Sequence, residues 1–212
     1  MWIIPSRERP GKVARFLRCY ERTHATTPFW VVIDETDPKI ADYEALGCPL
    51  LIRPGETIGC AAKVAYAYAM RPNEPFYGIF ADDIEPLTRG WDQALTFAAA
   101  PDRVAYPNDL LHTPRYFPLP CIGADLVRQV GFLALPTIEH YGIDNFWCHL
   151  ARRTGRLRYL KDHVVRLTDN MPGVAWDSVK TRQKARQGAD SAAWQAYRTG
   201  PAFSALVGRL KC

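Results

Sequence analysis

No stretch of the 212-residue chain approaches the ~20 consecutive apolar residues that a membrane-spanning helix needs. No C-x-x-C pair occurs either: the six cysteines (Cys19, Cys48, Cys60, Cys121, Cys148 and Cys212) lie far apart. That spacing argues against a structural zinc site and fits reduced thiols in a cytoplasmic protein. No leader segment is expected, because Trp2 opens a strand and Arg7, Glu8 and Arg9 follow it closely. The expectation is a soluble, cytoplasmic protein with no membrane partner. No internal repeat and no low-complexity segment is present. Neither sign of charge dominates, since the net charge is only +5. Basic residues are denser after Arg152, at Arg152, Arg153, Arg156, Arg158 and Lys161 and again at Lys180, Arg182, Lys184 and Arg186. Such a run is either a solvated helix face or a footprint for a polyanion such as nucleic acid.

What is present is the pattern of an α/β domain with an ordinary apolar share of 48%. Trp2–Pro5, Phe29–Ile33, Pro49–Ile52 and Phe76–Phe80 read as short buried strands. Between them, helical spacing runs from Pro10 to about Thr23, from Asp37 and Pro38 to Gly47, and from about Ile58 to Met70. Strands alternating with helices predict a mostly parallel, doubly wound sheet with helices on both faces. The right-handed crossover rule then brings Ser6–Arg9, Asp34–Asp37 and Asp82–Asp83 to one crevice. Later segments break this rhythm. Helices are expected from Gly90, at Asp125 and over Asp144–Thr154, strands at Val104–Tyr106 and Val164–Leu167, and helical pieces after Gly173 with breaks at Gly188 and Gly200.

The most informative segment is Phe76–Pro86, where a buried strand runs into two adjacent carboxylates, Asp82 and Asp83. Burying paired negative charges is costly unless a cation or donor groups offset them. In open α/β sheets the carboxyl ends of the strands are also where ligands bind. Together these point to a metal site for a phosphorylated substrate, with a turn or helix-capping aspartate pair as the plainer alternative.

In order and spacing, Ile4-Pro5-Ser6-Arg7, Asp34-Glu35-Thr36-Asp37, Phe80-Ala81-Asp82-Asp83-Ile84, Gly90-Trp91-Asp92 and His140-Tyr141-Gly142-Ile143-Asp144-Asn145 resemble GT-A fold glycosyltransferases. The resemblance is to the family 2-like nucleotide-sugar enzymes of bacteria and bacteriophages, over roughly residues 2–177. It implies a GT-A domain over 1–175, with a nucleotide-sugar-binding half (1–106) and an acceptor-side half (107–175). Residues 176–212 would form a C-terminal helical tail packed on it.

The resemblance also implies an activity: metal-dependent, inverting transfer of a hexosyl or pentosyl group from a nucleoside diphosphate sugar, with UDP-sugars favoured. Asp83 would hold Mn²⁺ or Mg²⁺, with Asp82 reaching the ribose or assisting. The histidine that often follows the family's last strand is not matched, which leaves Asp169, Asn170 or His163 as candidate third ligands. Pro5, Ser6, Arg7, Asp34, Glu35, Lys63, Asp82 and Asp109 would bind the nucleotide sugar, and His140 and Asn145 the acceptor. Asp144 would be the general base; its place at a helix start, where the macrodipole favours an ionised carboxylate, agrees with that role and equally with a plain N-cap. Arg7 and Lys63 also read as surface cations, His140 as a packed loop residue, and Asp34 and Asp109 as turn residues. The basic tail and the family's company make a hydroxymethylated base in bacteriophage DNA one expected acceptor, with host cytoplasm as the setting. A glycan, a protein or a small molecule are the others. A metal-dependent phosphohydrolase or nucleotidyltransferase would also use paired aspartates, but no second acidic cluster and no nucleophile motif supports it. A non-catalytic nucleotide-binding module is the remaining alternative.

Overall fold

The computed structural model describes residues 1–57, 59–112, 118–169 and 177–211. In chain order the strands are β1 (Trp2–Pro5), β2 (Phe29–Asp34), β3 (Leu50–Arg53), β4 (Phe76–Ile79), β5 (Ile84–Pro86), β6 (Val104–Asn108), β7 (Cys121–Gly123) and β8 (Leu157–Leu167). The helices are α1 (Pro10–Arg22), α2 (Ile40–Glu44), α3 (Ala61–Met70), α4 (Trp91–Ala99), α5 (Ala124–Val130), α6 (Ile143–Thr154), α7 (Ser178–Lys184), α8 (Gln187–Thr199) and α9 (Pro201–Lys211). One sheet contains the strands in the order β3-β2-β1-β4-β7-β6-β8-β5. The pairs β1/β2, β1/β4, β2/β3 and β6/β8 are parallel, whereas β4/β7, β6/β7 and β5/β8 are antiparallel.

Strand alternation divides the core between the two faces of the sheet. Ile3, Val32, Val104 and Tyr106 point to one face and pack with Val64 of α3, Leu126 of α5 and Phe146 and Trp147 of α6. Helices α8 and α9 close this layer with Trp194, Phe203 and Leu206. Trp2, Ile4, Val31 and Ile33 point to the other face, against Phe16 of α1 and Trp91 and Leu95 of α4. Trp2 stacks on Phe80 at 4.4 Å between ring centroids and tilts against Trp91 at 5.0 Å. Gly78 makes this possible, because a Cβ there would come within 1.8 Å of the Trp2 ring.

Several elements differ from expectation for identifiable reasons. The three-residue strands β5 and β7 carry too few residues for periodicity to register. Strand β8 starts at Leu157, not Val164; exposed Lys161 and Asp162 interrupt its apolar pattern where the pairing with β6 jumps from Leu160 to Val164. Helix α2 starts at Ile40 because Asp37 spends its carboxylate on the turn, accepting from the Lys39 N–H at 2.9 Å and the Glu8 N–H at 2.9 Å. Gly142, at φ 114°, is the N-cap of α6, so Asp144 stands inside the first turn. Gly188 lies within α8 and does not break it.

Candidate functional site

The carboxyl ends of β1 and β4 lie side by side, so Ser6, Arg7, Phe80, Asp82 and Asp83 reach one cavity of about 220 Å³. The start of α3 adds Cys60 and Lys63, the segment before α6 adds His140, Tyr141 and Asp144, and α7 adds Lys180 and Gln183.

Asp82 is buried, and both of its oxygens are engaged. The Ser6 hydroxyl donates to Oδ2 at 2.7 Å and the Arg9 guanidinium to Oδ1 at 3.2 Å. Burial pushes its carboxyl up to about 6, against the pull of Arg9 and with help from Asp83. The Tyr43 hydroxyl joins this network at 2.7 Å from Ser6 Oγ and accepts the Arg9 N–H at 2.9 Å.

The end of β8 clamps the neighbouring Asp83. The Thr168 N–H and hydroxyl both donate to the Asp83 carbonyl at 2.9 Å, and the Asp169 N–H donates to Asp83 Oδ2 at 3.3 Å. Asp83 Oδ1 makes no hydrogen bond with the described residues. The Asp169 carboxylate turns away to the Lys12 ammonium, 4.0 Å from Arg9. Asp177, just before α7, binds Arg9 at 2.5 Å and Lys12 at 3.2 Å. Although partial burial opposes it, the Arg9 bond and the Lys180 N–H hold the Asp177 carboxyl well below the usual range.

Asp34 is fully buried and shared among three cations. Lys63 approaches at 2.8 Å, Arg53 at 3.1 Å and Arg7 at 3.3 Å, and the Thr57 N–H donates at 3.1 Å. Arg53 faces it because β2 and β3 pair Asp34 with Arg53 in register. Burial lowers the Lys63 ammonium's pKa, with Asp34 opposing. Buried charges left unpaired are expensive, so this cluster is a connected unit that fixes Arg7 and Lys63 in the cavity wall.

Beside the start of α3, residues 139–141 are pinned from two sides. Both oxygens of Asp190 in α8 accept backbone N–H groups, from Glu139 at 2.8 Å, His140 at 2.9 Å and Tyr141 at 2.8 Å. From α3, the Ala61 N–H donates to the Glu139 carbonyl at 3.0 Å. Gly59 sits so close that a Cβ would lie 1.9 Å from that same oxygen. This loop leads into α6, where Asp144 Oδ1 accepts the Asn145 N–H at 2.8 Å. His140 Nδ1 is buried with no hydrogen-bond partner among the described residues, and burial, reinforced by Lys180, lowers the imidazole to about 4.

Of the residues expected from sequence, Pro5, Ser6, Arg7, Lys63, Asp82, Asp83, His140 and Asp144 line the cavity together. Asp34 lies behind its wall, sequestered by the cations that bind it. Glu35 is exposed and accepts the Gly55 N–H at 2.7 Å. Asp109 is buried in its own turn, accepting the His112 N–H at 2.9 Å and pairing with the His112 ring, so His112 is what reaches the cavity. Asn145 and Asp169 do not line the cavity, His163 sits at the β8 irregularity, and Asn170 lies outside the described residues. Cys60 and Gln183 are cavity residues that sequence reasoning did not single out, and it gave Arg9, Tyr141 and Lys180 no role of their own at the site. Arg9 had a signal as a second cation just past a strand end, and Lys180 as part of the basic run.

The resemblance read from the sequence implies a divalent cation, which the donor set must fit. Among the described residues no group of three His, Cys, Asp or Glu is placed to hold an ion. Asp82 and Asp169 are already neutralised by Arg9 and Lys12. Asp83 offers a buried, hard oxygen with one position open. That fits a cation such as Mn²⁺ or Mg²⁺, which takes one or two carboxylates and completes its shell with phosphate oxygens and water. It does not fit an all-protein cage.

No protein-family model and no curated protein matches the sequence. Solved structures do match in fold. The mannosyltransferase PcManGT from Pyrobaculum calidifontis, in complex with GDP-Man and Mn²⁺, is 15% identical, with 99% of this chain and 68% of that one covered and a TM-score of 0.63. Glucosyl-3-phosphoglycerate synthase from Mycobacterium tuberculosis, with Mn²⁺, UDP and glucosyl-3-phosphoglycerate, is 10% identical, covering 98% and 79% at a TM-score of 0.60. A proposed glucose-1-phosphate thymidylyltransferase from Bacillus anthracis is 10% identical, covering 96% and 98% at 0.51. The fold is therefore that of GT-A-like nucleotide-sugar glycosyltransferases, which related nucleotidyltransferases share.

Proposed function

We propose that the protein is a glycosyltransferase that moves a sugar from a nucleoside diphosphate sugar, with UDP-sugars favoured, to an acceptor hydroxyl with inversion. The observation that carries this reading is that Asp83 and Asp144 line one cavity together with Arg7, Arg9 and Lys63. Mn²⁺ or Mg²⁺ held by Asp83 would supply charge neutralisation for a departing diphosphate. Arg7 and Lys63, locked by Asp34, add fixed positive charge on the same wall. Asp82, tied to Ser6 and Arg9, keeps the β1 and β4 ends in register. Asp144 accepts the acceptor's hydroxyl proton as that oxygen bonds to the anomeric carbon and the bond to the diphosphate breaks. His140 orients the acceptor.

In this reading residues 1–106 form the donor half and residues 107–175 the acceptor half, with residues 176–212 as an extension packed on them. A hydroxymethylated DNA base is one acceptor consistent with the cations of α7 near the cavity mouth. Of these, Arg182 is tied to Glu8 at 2.7 Å, and Arg186, just beyond the helix, to Glu139 at 3.2 Å, which weakens that case. The thymidylyltransferase-like neighbour supports nucleotidyl transfer as the second reading. Incubation with a panel of nucleotide sugars and Mn²⁺ separates them. Release of nucleoside diphosphate is expected; release of pyrophosphate from a nucleoside triphosphate and a sugar phosphate would favour the second reading.

A further inference from the structure

We propose that the acceptor carries an anionic group, a phosphate or a carboxylate, and that the Lys180 ammonium receives it beside the reacting hydroxyl. This rests on the glycosyl-transfer reading of the same cavity. The other cations there already have partners: Arg7 binds Asp34 and Glu56, Arg9 binds Asp82 and Asp177, and Lys63 binds Asp34. Lys180 lines the cavity from α7, and its ammonium has no carboxylate partner among the described residues.

A second observation lies close by. His140 Nδ1 is buried without a hydrogen-bond partner among the described residues, and Lys180 is near enough to oppose protonation of the ring. The imidazole is therefore neutral and offers one donor and one acceptor nitrogen, as suits a hydroxyl. An acceptor with a hydroxyl at His140 and Asp144 and an anion at Lys180 satisfies both groups at once. A neutral acceptor leaves the Lys180 charge unanswered on that wall. Gln183, one turn further along α7, gives the same anion a second donor.

The test uses the full chain with Mn²⁺, titrated by calorimetry with UDP and separately with glycerol 3-phosphate, in the natural sequence and in Lys180→Met and Lys180→Arg. Lys180 is half-buried on a short helix, and circular dichroism will show that both variants fold. The expected result is that Lys180→Met weakens glycerol 3-phosphate at least tenfold, Lys180→Arg largely restores it, and UDP affinity stays within twofold. Unchanged glycerol 3-phosphate binding, no such binding at all, or an equal loss of UDP affinity overturns the proposal; the last makes Lys180 a donor contact. If UDP does not bind while glycerol 3-phosphate binds through Lys180, the transfer reading fails and the anion site stands. A short DNA duplex then identifies the source. Displacement of glycerol 3-phosphate by duplex, lost in Lys180→Met, assigns the anion to a nucleic-acid backbone, and no displacement assigns it to a small acceptor.

Discussion

Asp144 and Asp82 are both carboxylates on one cavity, yet their surroundings suit them to different work. Asp82 has both oxygens occupied and its ionised form penalised by burial. Asp144 sits in the first turn of α6, half-buried, where the helix N-terminus favours negative charge. Asp144→Asn keeps the shape and the bond from Asn145 but cannot take a proton. Turnover should fall about 10²–10⁴-fold with nucleotide-sugar affinity unchanged; parallel kinetics and calorimetry check this, and full turnover in the variant would remove Asp144 as base. His140 gives a pH signature. Its folded value of about 4 lies below the ordinary 6.5, so the folded chain binds that proton less tightly than the unfolded one. The stability gained by keeping it neutral is complete above pH 6.5 and drains away as the pH falls through 4. The full displacement corresponds to about 3 kcal/mol at most. Lys180, Arg9 and Lys63 add to this acid sensitivity, and Asp190 opposes it. Chemical denaturation should therefore show His140→Gln losing less stability than the natural sequence between pH 7 and pH 4.

At the scale of elements, strand ends were legible and long-range partners were not. A buried strand that stops on charge, as at Asp82-Asp83 and Asp34, announces a sheet edge from sequence alone. Whether that charge faces a cavity or a neighbouring strand depends on register. Asp34 was read as a nucleotide contact, but the parallel pairing sets Arg53 opposite it and Lys63 and Arg7 close in. Asp190 left no local signal, since one acidic residue in an amphipathic helix looks like solvent-facing charge. Yet it is buried and accepts three consecutive N–H groups of residues 139–141. Helix α8 is thereby a support of the cavity lining at His140 and Tyr141 as well as a cover for the core. Asp190→Ala leaves those donors unpaired, at about 1–3 kcal/mol for each buried group that water cannot reach. It should lower the melting temperature and, in molecules that fold, reduce kcat by about 10–100-fold, because misplacing a reacting group by an ångström has that scale of effect. KM for the donor should not move. A variant with lower stability but normal kcat would confine Asp190 to folding.

For the whole molecule, the cavity lies on the seam between the parallel strands β3-β2-β1-β4 and the mixed group β7-β6-β8-β5. The seam is crossed repeatedly. Strand β4 pairs with β7, Thr168 at the end of β8 closes on Asp83, and Asp177 before α7 reaches back to Arg9 and Lys12 near the start of the chain. Ligands that bind across such a seam stabilise both sides together. Thermal unfolding should be a single transition, and a nucleotide sugar at 100 times its dissociation constant should add about 2.7 kcal/mol to the stability of the whole chain. Because the donor set fits an ion completed by phosphate oxygens, Mn²⁺ alone should shift the transition little, and Mn²⁺ with the nucleotide sugar more than the sum of each alone. Asp83→Asn should erase that excess while leaving the metal-free shift in place. Calorimetry with the four combinations of metal and nucleotide sugar measures all three increments. Two separate transitions, only one of them responsive, would mean that the halves unfold independently. A large shift from Mn²⁺ alone would mean that the chain builds a fuller cation site than Asp83 provides.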